Sequence, residues 1–442
     1  MSPSAVASTS RAIGGAGFTR EALEAMAASS GGASSLEDRI AAFERYRSLA
    51  AAGAKPGPYW KIDLNLLDFN GYHAYRRPEK LAPGDLPPEW ALLAADDRAG
   101  LFLQHDSESV FVGIGSEAAR AGVVVTDLAQ AKETHAELFA ATFNSIVLKG
   151  ESKFVALTNA FQSGGAFVYV PPNVRLDQPI VISYVVDGAA LFPHTLIIAA
   201  EGAEVTLIEN IIAARGESGH PVVGITEVHA QERAKVTYAA LQTLGPAATH
   251  IVTRRAKPEA DAHVTWVVGE LGGKLSYTSV DGRLAAPGAQ MSTYGLFFAA
   301  NAQHVDLTAN VDHAVGATQS FTHIKGAARS AGQARFRGNI RIDAGAHGAE
   351  SALREDALLL SGDAHIDSIP GLEIAANDVK AFHGATVGAL DEEELFYVTA
   401  RGIPREDAEK LITLGFFEPV LEHFPCEPIR ERIRRSLAAS IV

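Results

Sequence analysis

A four-residue pattern recurs through the middle of this chain: a small residue, any residue, an apolar one, then Ser or Thr. It appears as Ala203-Glu204-Val205-Thr206, Ala234-Lys235-Val236-Thr237, Ala262-His263-Val264-Thr265 and Ala289-Gln290-Met291-Ser292, with the apolar members 31, 28 and 27 residues apart. From about residue 154 to 374, short strand-like runs rich in Val, Ile, Thr and Tyr are separated by Gly, Asn and Asp, and almost nothing has helical spacing. A repeat of this size made only of strands and turns predicts a solenoid in which each coil stacks on the last. A parallel β-helix accounts for the superperiod. Accidental similarity within a β-sandwich is the competing reading, although sandwich strands would recur at roughly 8 to 12 residues with no longer period.

The flanks have a different texture. Residues 1–17 are rich in Ser, Ala and Gly, a composition expected to stay disordered. Helical spacing follows over 19–52, with Leu23, Met26 and Ala27 on one face and then, after a Ser-Gly break at 29–35, Leu36, Ile40, Phe43 and Leu49. Pro56, Gly57 and Pro58 end it, and Pro83, Pro87 and Pro88 mark turns in a mixed segment up to about Asp97. Asp127 is placed to cap a helix reaching about Asn144, with Leu128, Ala131, His135, Leu138, Phe139 and Thr142 facing inward. After Asp391 helix returns: Pro404 stands at a first turn, Glu406 and Asp407 suit its N-terminus, and Ala408, Leu411, Ile412, Phe416, Val420 and Leu421 form an apolar face. A last amphipathic piece over 428–441 carries Arg430, Arg432, Arg434 and Arg435. The expected organisation is mainly β: a helical region and linker at 1–100, a β-helix core at 101–385 clearest from 154, and a helical domain at 386–442.

Composition excludes several chemistries. The one cysteine, Cys426, leaves no internal disulfide framework, no multi-cysteine zinc site and no cluster held by four thiolates of this chain. With 38 Lys and Arg against 52 Asp and Glu, the net charge of −14 disfavours nucleic acid as a partner. The longest apolar run, residues 191–200, is too short to span a membrane and is broken by Pro193 and His194. The first residues do not resemble a secretory signal, so a cytoplasmic protein is expected. Gly272-Gly273-Lys274 fails as a phosphate loop, because Val268 stands where the first glycine should be and Leu275 where Ser or Thr should bind magnesium. Gly113-Ile114-Gly115 with Ala118 lacks a following βαβ alternation, and a turn explains it. Among the histidines, His304, Asp306, Asp312 and His313 lie in one stretch, with His323 close behind. Imidazole with carboxylate suits iron or zinc, and His304 and Asp306 share a strand face by period two. The same pattern also fits a ladder of polar residues on a solvated solenoid face.

Residues 353–403 are the most informative. They hold Leu358-Leu359-Leu360-Ser361, Pro370-Gly371-Leu372-Glu373-Ile374, Asp378-Val379-Lys380-Ala381-Phe382-His383-Gly384-Ala385-Thr386, Phe396-Tyr397 and Arg401-Gly402-Ile403. The order and spacing of these motifs resemble the SufB/SufD family of iron-sulfur cluster assembly proteins. Weaker similarity covers Phe167-Val168-Tyr169-Val170-Pro171, Gly272-Gly273-Lys274-Leu275-Ser276, His304-Val305-Asp306 and Val311-Asp312-His313, and the first hundred residues match least. The wording around His383 is most similar to SufD, since Phe382 and Gly384 stand where SufB members carry two glutamates. SufB's reactive cysteine ahead of the leucine run is replaced by Arg354-Glu355-Asp356, and the cysteine common in SufD two residues before the histidine is Ala381.

The resemblance implies a right-handed parallel β-helix between helical ends. It implies a SufB-like paralogue alongside and a SufC-like ATPase on the C-terminal helical region, whose facing residues would be Phe396, Tyr397, Arg401, Gly402 and Ile403. It makes His383 a ligand for iron or for a transient iron-sulfur cluster shared with the partner, and makes the chain a non-catalytic scaffold. Without the family, His383 fits a structural histidine at a strand end. Flavin involvement and a homodimer of the isolated chain are both left open by the residues. A β-helix lyase or hydrolase of acidic polysaccharide is the alternative function, set against the chain's own acidity.

Overall fold

The computed structural model describes residues 11–12, 17–29, 32–51, 69, 71–78, 86–214 and 219–441. Most of the Ser, Ala and Gly rich start, and the turns expected at Pro56, Gly57, Pro58 and Pro83, lie outside the described residues. The chain alternates between two long sheets, giving each coil one strand in each. The first sheet runs to Thr249–Pro258, Leu275–Leu284, His304–His313, Gln333–Ile342 and His365–Ile374. The second runs to His263–Glu270, Gln290–Ala299, Gln319–Ala328, Glu350–Leu359 and Lys380–Ala389. Pairing is parallel from Ala166–Val170 onward, which makes a parallel β-solenoid of about eight turns. Antiparallel strands occur only at its beginning among the described residues of the long sheets, where Glu108–Ile114 pairs with Gly100–His105 and Val124–Asp127 with Ala166–Val170. Of the glycine pair expected to form a turn, Gly113 lies within strand Glu108–Ile114 opposite Leu101, and Gly115 is the N-cap of the short helix Ser116–Arg120 that follows.

The recurring motif is one ladder of the second sheet. Val205 pairs with Val236, Val236 with Val264 and Val264 with Met291, all turned into the core. The opening alanines, Ala203, Ala234, Ala262 and Ala289, are fully buried at the corner of each coil. Each follows a residue with left-handed backbone, Gly202, Arg233, Asp261 and Gly288, at φ of 66°, 59°, 57° and 73°. A Cβ on Gly288 would lie 2.0 Å from Asp261 Oδ1, so one corner leaves no room for a side chain in the next. Past Met291 the ladder continues through Ser320, Ser351 and Ala381, and the apolar signal fades while the register holds.

Both ends of the chain fold back over the solenoid's flanks. Helices Arg20–Ser29, Leu36–Ala51 and Lys153–Phe161 pack Leu23, Met26, Phe43, Leu157 and Phe161 into a cluster with Val223, Ile251, Leu275 and Tyr277 on the outer face of the first sheet. Helices Arg405–Leu421 and Glu427–Ser440 set Phe417, Val420, Ile429, Ile433 and Leu437 against Ile208, Leu241, Val267, Leu296 and Phe298 on the second. Each such apolar side chain contributes about 1.5–3 kcal/mol when fully buried, so the covered coils are well anchored. No helix among the described residues is long and apolar enough to cross a membrane.

Three local expectations are corrected. Lys153–Phe161 is helical where strand texture was expected, because residues 154–161 are all buried and no polar face marks the helical period. Its Ser152 cap accepts from the Val155 amide. Asp127 does cap a helix, accepting from the Gln130 amide, but that helix stops at Thr134 and resumes at Ala136, since His135 leaves helical geometry at φ −132°, ψ 42°. In the C-terminal helix Leu411 is 56% exposed, and buried Thr413 and Phe417 take part in the inward face.

Candidate functional site

The covering helices stop short of the last coil. His365–Ile374 and Lys380–Ala389 are the terminal strands of their sheets, with no neighbour beyond them among the described residues. Each therefore presents a ten-residue row of unpaired backbone groups. Ile369, Ile374, Phe382 and Val387 are exposed there.

His383 sits on the last strand, in register with the core residue Leu353. Strand alternation then turns Ala381 and His383 toward the solenoid interior and Phe382, 61% exposed, to the outside. His383 Nδ1 is buried without a hydrogen-bond partner. Glu355, two residues beyond Leu353, shares the inward face and is fully buried. The Ser368 hydroxyl, from the facing sheet, donates to Glu355 Oε2, while Oε1 has no partner. Burial pushes the Glu355 carboxyl up to about 7. Outward on the same strands, Asp356 accepts from Thr386 Oγ1 at 2.8 Å and pairs with Arg354 at 2.9 Å and Lys325 at 3.5 Å. Burial alone would raise Asp356, but the hydrogen bonds from Thr386 and Arg354 hold it below the usual carboxylate range.

The earlier stretch does not converge. His304, Asp306 and Asp312 lie on the outer face of their strand, whereas His313 points inward. Asp306 is saturated by Arg335 Nη1 at 3.0 Å and Arg337 Nη2 at 3.1 Å. Asp312 stands in register between Arg283 and Arg341. His313 bonds Thr318 Oγ1 at 2.8 Å and Ser320 Oγ at 2.9 Å, the arrangement of a satisfied core histidine. Among the described residues, one group of three possible ligand atoms lies within 4.8 Å, from His105, Asp106 and Asp187. Arg76 already occupies it, with Nη1 at 3.0 Å from Asp106 and 2.7 Å from Asp187.

The lumen also holds a buried ionic network that motif reasoning passes over. Arg254 pairs with Glu209, whose Oε2 accepts from Tyr238 at 2.8 Å. Glu270 accepts from Ser276 and Thr278, each at 2.7 Å, and lies 3.2 Å from His250 Nδ1. Burial opposes ionisation of Glu270, yet His250, Arg254 and Ser276 outweigh it and hold the group at about 2. An acid in the inward phase of a strand is the signal that finds such residues, as in Val205, Leu207, Glu209 and Ile211, or Leu353, Glu355 and Ala357.

The C-terminal motif forms a separate surface. Helix Glu392–Thr399 carries Phe396 and Tyr397, 74% and 62% exposed. The Arg401 guanidinium lies 3.4 Å from the Tyr397 ring centre, exposed Gly402 turns the chain at φ 88°, and half-buried Ile403 follows. Cys426 is at the N-terminal end of the last helix, half-buried against the second sheet's covering core, and burial raises its thiol.

The family model described as "SUF system FeS cluster assembly, SufBD core domain" matches residues 182–416, and that of the "SufBD protein N-terminal region" matches residues 110–182. An iron-sulfur cluster assembly SufBD family protein of Staphylococcus epidermidis is 31% identical to this chain over 397 residues, covering 87% of it and 85% of the relative. SufBD family proteins from strains of Staphylococcus aureus are similar to the same extent.

Proposed function

This chain belongs to the SufBD family of SUF-system iron-sulfur cluster assembly proteins, and from that membership we propose that it is a SufD-like, non-catalytic scaffold subunit acting in the cytoplasm. His383 is its ligand for iron or a nascent cluster, which passes through the site as cargo. The bare last coil receives a SufB-like paralogue. The C-terminal helices receive a SufC-like ATPase.

The observation that carries this reading is the position of His383. It lies at the uncovered end of the solenoid, turned inward with a buried and unpartnered ring nitrogen, beside strand edges that lack neighbours among the described residues. A neutral imidazole is a competent iron ligand. Thiolates must come from the partner, since Ala381 stands beside the histidine and the single thiol, Cys426, is engaged in the C-terminal packing. The exposed aromatic pair Phe396 and Tyr397 supports a docking role for the C-terminal helices, because large exposed aromatics on a rigid helix are common anchors of interfaces.

Co-expression with a SufB-like and a SufC-like protein tests the assembly. One complex containing all three is expected, and elution of this chain alone would overturn the partner reading. His383→Ala should leave the complex intact and abolish cluster formation on it. Undiminished assembly by the variant would remove the ligand role.

A further inference from the structure

Two orphaned polar atoms lie on adjacent strands, at inward-facing positions near the mouth of the lumen. Glu355 Oε1 is a buried acceptor with nothing to accept from, and His383 Nδ1 is a buried ring nitrogen with no partner. Their strands are adjacent, and His383 pairs with Leu353, two residues before Glu355 on the same inward face. The two side chains are thus diagonal neighbours, a spacing of roughly 7–8 Å between backbones that long side chains bridge. Glu355 Oε1 and His383 Nδ1 do not bond one another, since neither atom has a hydrogen-bond partner. No cation pairs with Glu355 among the described residues, in contrast to Asp106 and Asp187, where Arg76 fills the space. Buried groups left unsatisfied in this way mark a place for a bound ion or water.

Resting on the reading of His383 as a ligand, we propose that Glu355 is a second ligand, and that the pair binds a divalent transition-metal ion, Fe²⁺ in the assembly reaction. The donors are Glu355 Oε1 and His383 Nδ1. Ser368 holds the other carboxylate oxygen and so fixes the orientation of the first. A nitrogen and oxygen pair without thiolate selects Fe²⁺, Mn²⁺, Co²⁺ or Zn²⁺ rather than a soft ion or a preassembled thiolate-held cluster. Two protein donors leave most of the coordination sphere open, which suits an ion that is handed on once the partner closes over the mouth. The cargo held by this chain alone is then the bare ion.

The full chain, with any affinity tag removed, is titrated anaerobically with Co²⁺ alone while its visible absorption is followed. The wild type should show a saturable site of about one equivalent. Glu355→Gln, which keeps the size of the side chain and an acceptor for Ser368, should weaken that site at least about tenfold, the smallest effect usual for a group that supports a metal site. His383→Ala should do the same, and Glu355→Asp, with its shorter reach, should also weaken it and covers the case of a poorly folded glutamine variant. Loss in His383→Ala with unchanged binding in both Glu355 variants overturns the role of Glu355 and leaves His383 standing. Unchanged binding in all three overturns the pair, while the complex and assembly experiments above judge the broader reading separately.

Discussion

The buried pair of Arg254 and Glu209 offers the sharpest energetic test of the solenoid's interior. Both side chains are almost wholly removed from solvent, and Glu209 keeps only hydroxyl partners if the guanidinium goes: Tyr238 at 2.8 Å and Thr195 at 3.4 Å. Removing one partner of such a pair costs about 3–5 kcal/mol, because a charge is left buried without its counter-charge. Arg254→Met should sit near the lower end, about 3 kcal/mol, since the Tyr238 hydroxyl still serves Glu209. Adding Glu209→Gln removes the stranded charge and keeps the acceptor for Tyr238, so the double variant should recover to within about 1 kcal/mol of the wild type. The double variant is then about 2 kcal/mol more stable than Arg254→Met alone. Trp266 is fully buried with its ring 5.1 Å from that of Tyr238, so its fluorescence during urea unfolding reports this coil. A single variant no less stable than the double one would refute the reasoning, and the polar network would then be filler rather than a coupled pair.

Burial holds His313 down to about 4, against about 6.5 in the unfolded chain, so the unfolded chain takes the proton first. Its contribution is complete above about pH 6.5 and is lost as pH falls toward 4, by up to about 3 kcal/mol, and His313→Gln should flatten the urea midpoint over that window; parallel curves for the two proteins would count against it. On the surface, Phe396→Ser combined with Tyr397→Ser should change stability by no more than about 0.5 kcal/mol, since both rings are exposed. The same pair should abolish co-elution with the SufC-like ATPase, and retained co-elution would move the docking surface elsewhere.

The solenoid was legible because each coil repeats the register of the one before. Four similar motifs became one ladder, from Val205 to Met291, with the alanines at its corners. Legibility faded where the inward positions became Ser320, Ser351 and Ala381, which pair in register without a large apolar side chain. Helix Lys153–Phe161 was hidden for the opposite reason, being buried on every side, so that no polar face marks its period. The partners of Asp306 were invisible for a third: Arg335 and Arg337 lie in the next coil of the same sheet, about thirty residues on, and nothing local signals them.

Taken alone, the order of residues determined the coil, its superperiod, the helical flanks and the family motif around His383. Those are properties of short segments and of their repetition, and they follow from alternation along a strand and spacing along a helix. Tertiary structure decided which polar residues meet. Strand phase put His313 inside and Asp312 outside, although they are adjacent in sequence. Closure of the coil brought Ser368 across the lumen to Glu355. The lengths of the two covering flanks left the last coil bare, and so placed His383 and Glu355 at an open mouth instead of within a sealed core.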